Sequence, residues 1–156
     1  YLSPKDYHHV HSPCDGEVIE VVHIPGALWP VNSWSVRNID GLFSVNERVI
    51  TYLSTKAGMV AVIMVGATNV GKITVTFENS IEGNRILHHS RKNLRITYPT
   101  MDRAKRPFLR AGERLGTFHL GSTVVLLFAP GVMGKFGCNE YNTATDAVAM
   151  EMGMSL

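Results

Sequence analysis

The sequence has little cysteine, no long apolar run and almost no net charge, and each shortage excludes a class of protein. Two cysteines in 156 residues, Cys14 and Cys138, cannot form the dense disulfide framework of a small secreted domain. Their spacing is not that of a metal site either, and they read as free thiols in a reducing compartment. No apolar stretch approaches the ~18–20 residues that a membrane-spanning helix needs. The opening "YLSPKDYHH" lacks the apolar core of a signal peptide. Fifteen basic and 13 acidic residues leave a formal charge of +2. They are interspersed, so no broad electrostatic footprint for nucleic acid is present. The densest basic stretches, "HHSRKNLR" at 88–95 and "RAKR" at 103–106, either meet anionic headgroups or stay solvated. Internal repeats, low-complexity segments and a glycine-rich phosphate loop are all missing.

What is present is a core's worth of β-forming sequence. With 45% hydrophobic residues, the chain can bury one core of ordinary domain size but not two. "EVIEVVHI" (17–24), "ERVITYL" (47–53), "GMVAVIMVGA" (58–67), "GKITVTFEN" (71–79), "LRITYP" (94–99) and "STVVLLFA" (122–129) are rich in β-branched residues and punctuated by Gly, Pro or Asn. In "KITVTF", Ile73, Val75 and Phe77 alternate with Lys72, Thr74 and Thr76, which predicts a strand with one wet face. "MVAVIMV" and "VVLLF" are apolar on both faces and are expected to be central strands. The strands follow one another too closely for crossover helices. The expected fold is therefore mainly β, an antiparallel sandwich or barrel-like single domain over 1–156, with short terminal helices. At the start, Ser3, Pro4 and Asp6 have the spacing of an N-cap, first-turn proline and capping partner, and predict a single helical turn. "NTATDAVAMEM", with Thr143 or Thr145 as cap, predicts the second. Because the chain opens at Tyr1 directly into a dense motif, it is expected to continue upstream.

Three of the seven histidines, His8, His9 and His11, fall within four residues. Two imidazoles on one face could ligate zinc, but a zinc site needs further protein ligands, and His88 and His89 lie in a basic stretch that repels a cation. No metal is expected. A histidine is also the natural base for a serine hydroxyl, and Ser122 in "LGSTVVLLF" is the serine in question. Gly121 before it has no Cβ, so its carbonyl is open to attack and its backbone tolerates strained dihedrals. A serine so placed can attack the preceding carbonyl and cut the chain, with the new small piece beginning at position 122. A bland turn accounts for the tripeptide equally well.

"YLSPKDYHHVHSPCDG" (1–16), "PVNSWSV" (30–36), "LFSVNERVI" (42–50), "VGATNVGKI" (65–73) and "LGSTVVLLFAPG" (120–131) together resemble the phosphatidylserine decarboxylase family in order and spacing. The resemblance runs from Tyr1 to about Gly131. It implies a self-processing proenzyme, cleaved between Gly121 and Ser122 into 1–121 and 122–156. The cofactor it implies is a pyruvoyl group made from Ser122, which would decarboxylate phosphatidylserine to phosphatidylethanolamine through a Schiff base. His11 corresponds to the family's base for self-cleavage, and His8 to the histidine that handles substrate or the decarboxylation proton. His9 stands where the family often has arginine and receives no role. The family's orienting aspartate belongs upstream of "YLSPKDYH", and neither Asp6 nor Asp15 is its equivalent. The implied setting is a peripheral membrane one, cytoplasm-facing in a bacterium or on the inner mitochondrial membrane in a eukaryote. The implied partners are the lipid surface and the enzyme's own two cleavage products as a heterodimer, a homodimer being left open. Trp29 and Trp34 are candidates for bilayer contact, or else for the core. Two other readings stand beside this one. A processing-dead member would stay uncut, and a carrier module would need an exposed hairpin-tip lysine, for which Lys56 and Lys72 are the candidates.

Overall fold

A computed structural model of the chain describes residues 1–68, 72–81, 92–99, 103–119 and 122–132. The protein is mainly β, and the described residues hold nine strands: β1 (His9–His11), β2 (Gly16–Ile24), β3 (Arg48–Ser54), β4 (Met59–Gly66), β5 (Ile73–Val75), β6 (Leu94–Thr97), β7 (Phe108–Leu109), β8 (Arg114–Phe118) and β9 (Ser122–Phe128). They form two sheets. The larger runs β6-β2-β3-β4-β9, with β7 also paired to the start of β2, and the smaller runs β1-β8-β5. Every strand pair is antiparallel, as the short connections require, and the sheets do not close into a barrel.

The periodicities explain where each strand sits. In β3, Val49, Thr51 and Leu53 point inward and alternate with half-exposed neighbours. β4 is buried on nearly every residue, from Val60 to Gly66 save Ile63, and it is indeed interior, flanked by β3 and β9. β5 buries Ile73 and Val75 and leaves Thr74 half-exposed, the wet face its alternation predicts. Val10, Ile73, Leu115 and Phe118 from the small sheet join Val18, Val21, Leu53, Val60, Val62 and Met64 from the large one in a single core. Each such side chain contributes about 1.5–3 kcal/mol relative to exposure.

Three expectations are corrected. β9 is not central: among the described residues it ends its sheet, and Leu127 is 55% exposed. An apolar run cannot reveal whether its second face is covered, and here it is not. The start of the chain is not helical. Asp6 accepts hydrogen bonds from the Ser3 N–H at 2.7 Å and hydroxyl at 2.8 Å, and its own N–H reaches the Ser3 carbonyl at 2.9 Å. The capping chemistry is present, but the chain then turns into β1, because pairing with β8 offers the backbone more partners than one helical turn would. Among the described residues the α-helices are internal and short, α1 (Ser33–Asn38) and α2 (Leu42–Val45). The segment containing Thr143 and Thr145 lies outside the described residues, as do His88, His89 and Cys138.

Candidate active site

The N-terminal motif and the strand leading to Ser122 are one antiparallel pair. His11 stands opposite Arg114, Val10 opposite Gly116 and His9 opposite Thr117. The Phe118 N–H then donates to the His8 carbonyl at 3.0 Å. Farther along, Leu2 and Ser122 bond in both directions. The two stretches with the most specific sequence signals thus lie side by side from His11 back to Leu2.

Ser122 opens β9 in register with Gly66, the last residue of β4. Leu2 holds its other side, so its backbone is fixed from both flanks. The residue is 1% exposed, and its Oγ is buried without a hydrogen-bond partner among the described residues. The neighbouring Thr123 Oγ1 is equally unpartnered. An orphaned buried hydroxyl costs about 1–3 kcal/mol in ordinary structures; Ser35 and Thr51 carry buried hydroxyls of the same kind. Ser122 borders a cavity of about 90 Å³ lined also by Leu2, Pro30, Val31, Asn32 and Thr68.

The three histidines differ in what holds them. His8, just before β1, has both ring nitrogens buried and, among the described residues, unpartnered. His9 Nδ1 meets Thr117 Oγ1 at 2.9 Å, and its ring stands edge-on to Tyr7, centroids 5.1 Å apart. His11 has both nitrogens engaged. Nδ1 lies 2.6 Å from the Gly112 carbonyl, which can only accept, so Nδ1 carries the proton. Nε2 lies 2.8 Å from the Tyr7 hydroxyl, from which it accepts when the ring is neutral. The Tyr7 ring stacks on His11 at 5.7 Å and 17°. The structure brings Ser122 to Leu2 and His8 to the end of β8. It joins His11 to Tyr7 and Gly112, at the far end of the strand pair from Ser122. Asp6 is held below the usual carboxylate range by its Ser3 hydrogen bonds, and burial pushes the Cys14 thiol up. Among the described residues no three histidine, cysteine or acidic side chains cluster as a metal site.

Tyr7, Gly112 and Asn46 were not singled out by sequence. The Tyr7–His11 contact depends on the turn at Ser3–Asp6 and the Gly112 contact on β8's register, neither visible as a motif. The basic stretches prove partly internal: Arg95 pairs with Glu20 at 2.5 Å and Arg106 with Glu17 at 2.9 Å. Trp29 and Trp34 are 48% and 66% exposed, so neither is a core residue. Lys56 stands exposed in the turn between β3 and β4, where a carrier lysine would have to be. No helix among the described residues is long and apolar enough to cross a membrane.

Comparison with known proteins is consistent across the chain. The family model described as phosphatidylserine decarboxylase matches residues 1–154. A phosphatidylserine decarboxylase proenzyme of Anaeromyxobacter sp. (strain K) is 44% identical over 132 residues, covering 84% of this chain and 44% of that protein. One of Acidovorax ebreus (strain TPSY) is 41% identical over 133 residues, covering 85% of this chain and 44% of its own length. One of Klebsiella pneumoniae subsp. pneumoniae is 43% identical over 133 residues, covering 84% and 40%. The chain spans about two-fifths of the length of these relatives.

Proposed function

The chain belongs to the phosphatidylserine decarboxylase family, and from that premise we propose that it is the part of a self-processing enzyme that carries the reacting centre, with Ser122 as the residue that both cuts the chain and becomes the prosthetic group. The observation that carries this reading is the Ser122 hydroxyl: buried, unpartnered, and fixed between Gly66 and Leu2 at the mouth of a strand. Those features fit a pyruvoyl precursor, whose backbone must be held fixed while its hydroxyl stays available to a base.

In maturation, Ser122 Oγ attacks the Gly121 carbonyl carbon as its proton passes to a base. The peptide C–N bond breaks, and the acyl group moves from nitrogen to oxygen. Loss of the Ser122 Cα proton then expels the Gly121 carboxylate. The enamine left at position 122 tautomerises to an imine, and water releases ammonia to leave the ketone. When formed, the pyruvoyl group supplies an electron sink for the pair left behind as carbon dioxide departs. His11 is the proposed base. Its Nδ1–H is anchored on Gly112, as a base's second nitrogen must be. Because the ring stands opposite Arg114, at the far end of the strand pair from Ser122, this role requires β1 to shift toward the serine as well as Nε2 to release Tyr7. His8, with both nitrogens unspent, is the proposed proton donor to the decarboxylated substrate. The substrate is a serine-headed phospholipid at a membrane surface. Peripheral attachment there is supported by the exposed Trp29 and Trp34, whose rings suit the interfacial zone. The cleavage products 1–121 and 122–156 remain together, since β9 pairs with β4 along its length.

The test is release of labelled carbon dioxide from phosphatidylserine vesicles by the protein and by Ser122→Ala. The proposal expects release by the first and none by the second. Equal release by both would end it. A carrier role for Lys56 has position in its favour but no support from the family.

A further inference from the structure

We infer that Asn46 is a positioning residue for the Ser122 cavity, acting by clamping the loop that forms its far wall; this rests on the reading of Ser122 as the reacting residue. Asn46 is fully buried, at 0% exposure, and its amide is spent on backbone alone. Oδ1 accepts from the Trp29 N–H at 3.0 Å, and Nδ2 donates to the Trp29 carbonyl at 2.8 Å and to the Gly66 carbonyl at 3.0 Å. Gly66 is the residue opposite Ser122, and Trp29 directly precedes the wall residues Pro30, Val31 and Asn32. One side chain therefore ties the cavity wall to the strand position that faces the reacting serine.

The surrounding backbone shows that this placement is specified rather than incidental. Ala27 donates to Val45 O at 3.0 Å and accepts from Glu47 N at 2.8 Å, which brackets Asn46, and Gly66 N reaches Glu47 O at 2.8 Å. A Cβ on Gly26 would stand 2.4 Å from the Val45 carbonyl, so the chain passes there at backbone contact and only glycine fits. The loop is thus pressed onto residues 45–47 at its start and gripped by Asn46 at Trp29. One residue before Trp29, the Thr68 hydroxyl also donates to the Leu28 carbonyl at 2.9 Å. An amide is suited to this task because it offers a donor and an acceptor side by side and grips both polar groups of one residue. Without it, the Trp29 N–H and carbonyl lose their partners and the wall from Pro30 onward loses its anchor.

The test reads the geometry of position 122 directly and needs no decarboxylation. In the protein carrying Ser122→Cys and Cys138→Ser, iodoacetamide labelling is followed by peptide mass, with buried Cys14 as the internal reference. Adding Asn46→Ala should raise labelling at position 122 about tenfold, the order expected for losing one or two hydrogen bonds' worth of local protection, with Cys14 unchanged. Equal acceleration at both positions would mean general loosening and overturn the inference, as would no acceleration at 122. Should Asn46→Ala fail to fold, amide exchange of the Trp29 N–H in the unaltered protein decides. Protection comparable to β4 supports the clamp, and exchange as fast as an open loop contradicts it. A protein that never decarboxylates would refute the proposed function and leave these readouts standing.

Discussion

Leu2 and Ser122 are bonded to each other in both directions: the Leu2 N–H reaches the Ser122 carbonyl at 2.7 Å and the Ser122 N–H reaches the Leu2 carbonyl at 3.1 Å. Leu2 is therefore tied directly to the proposed reacting residue. Leu2→Pro removes one of these donors and is expected to slow cleavage at Gly121–Ser122 about tenfold, measured as the half-time of precursor loss on a gel. Unchanged cleavage would mean that the bridge does not position the serine.

The Tyr7–His11 contact separates two roles that a simple loss of function would merge. His11→Ala should slow cleavage by about 10²–10⁴-fold, the usual worth of a positioned base. Tyr7→Phe removes only the hydroxyl that occupies Nε2, so cleavage should proceed at least as fast as in the unaltered protein. A Tyr7→Phe protein as slow as His11→Ala would show that the hydroxyl is needed rather than displaced.

For His8 the expectation is the reverse split. His8→Ala should cleave normally but decarboxylate at least about 10²-fold more slowly, seen as a full complement of cleaved chains with little carbon dioxide released. Normal decarboxylation by that variant would reduce His8 to a packing residue.

Much of this was legible in the residues, and the exceptions have physical causes. Six strands announced themselves through β-branched runs broken by Gly, Pro or Asn, because burial on a pleated surface selects those residues. β8 did not: "RLGTF" carries Gly116 at its centre, which reads as a turn. The glycine is there because the backbone of the paired strand β5 and the Met64 side chain of β4 leave no room for a Cβ. An added Cβ would sit 2.6 Å from the Thr74 carbonyl and 2.9 Å from Met64 Sδ. Ser122, His8 and His11 were recognisable as a motif. What each ring nitrogen touches was not, because those partners come from a turn and a strand register that no short spacing encodes. Asn46 lay inside "SVNERV" as one more polar residue beside a strand, and only the fold reveals that its amide spans two segments.

Gly116→Ala follows from that close approach. It should destabilise the protein by about 1–3 kcal/mol through overpacking between the sheets, read as a drop in Tm of several degrees. An unchanged Tm would mean that the two sheets are less tightly apposed than their contacts imply.

Tyr98 gives a pH dependence. Burial first, then the Glu78 carboxylate 3.2 Å from its hydroxyl, pushes its pKa up to about 12 from an ordinary 10. The folded state thus keeps a proton that the unfolded chain gives up. This contribution to stability is complete below pH 10 and is lost as pH rises through 12. Tyr98→Phe should therefore lose less stability than the unaltered protein between pH 10 and 12 in denaturant titrations, and identical slopes would contradict the assignment.

The central claim, that Ser122 cuts the chain and becomes a carbonyl, is tested most directly by intact mass of the denatured protein before and after treatment with an amine and a reductant. The account predicts two species that divide between Gly121 and Ser122, of which only the one beginning at position 122 gains the mass of the trapped amine. A single uncut chain that gains nothing, both for this sequence and for a longer protein that contains it, would contradict it.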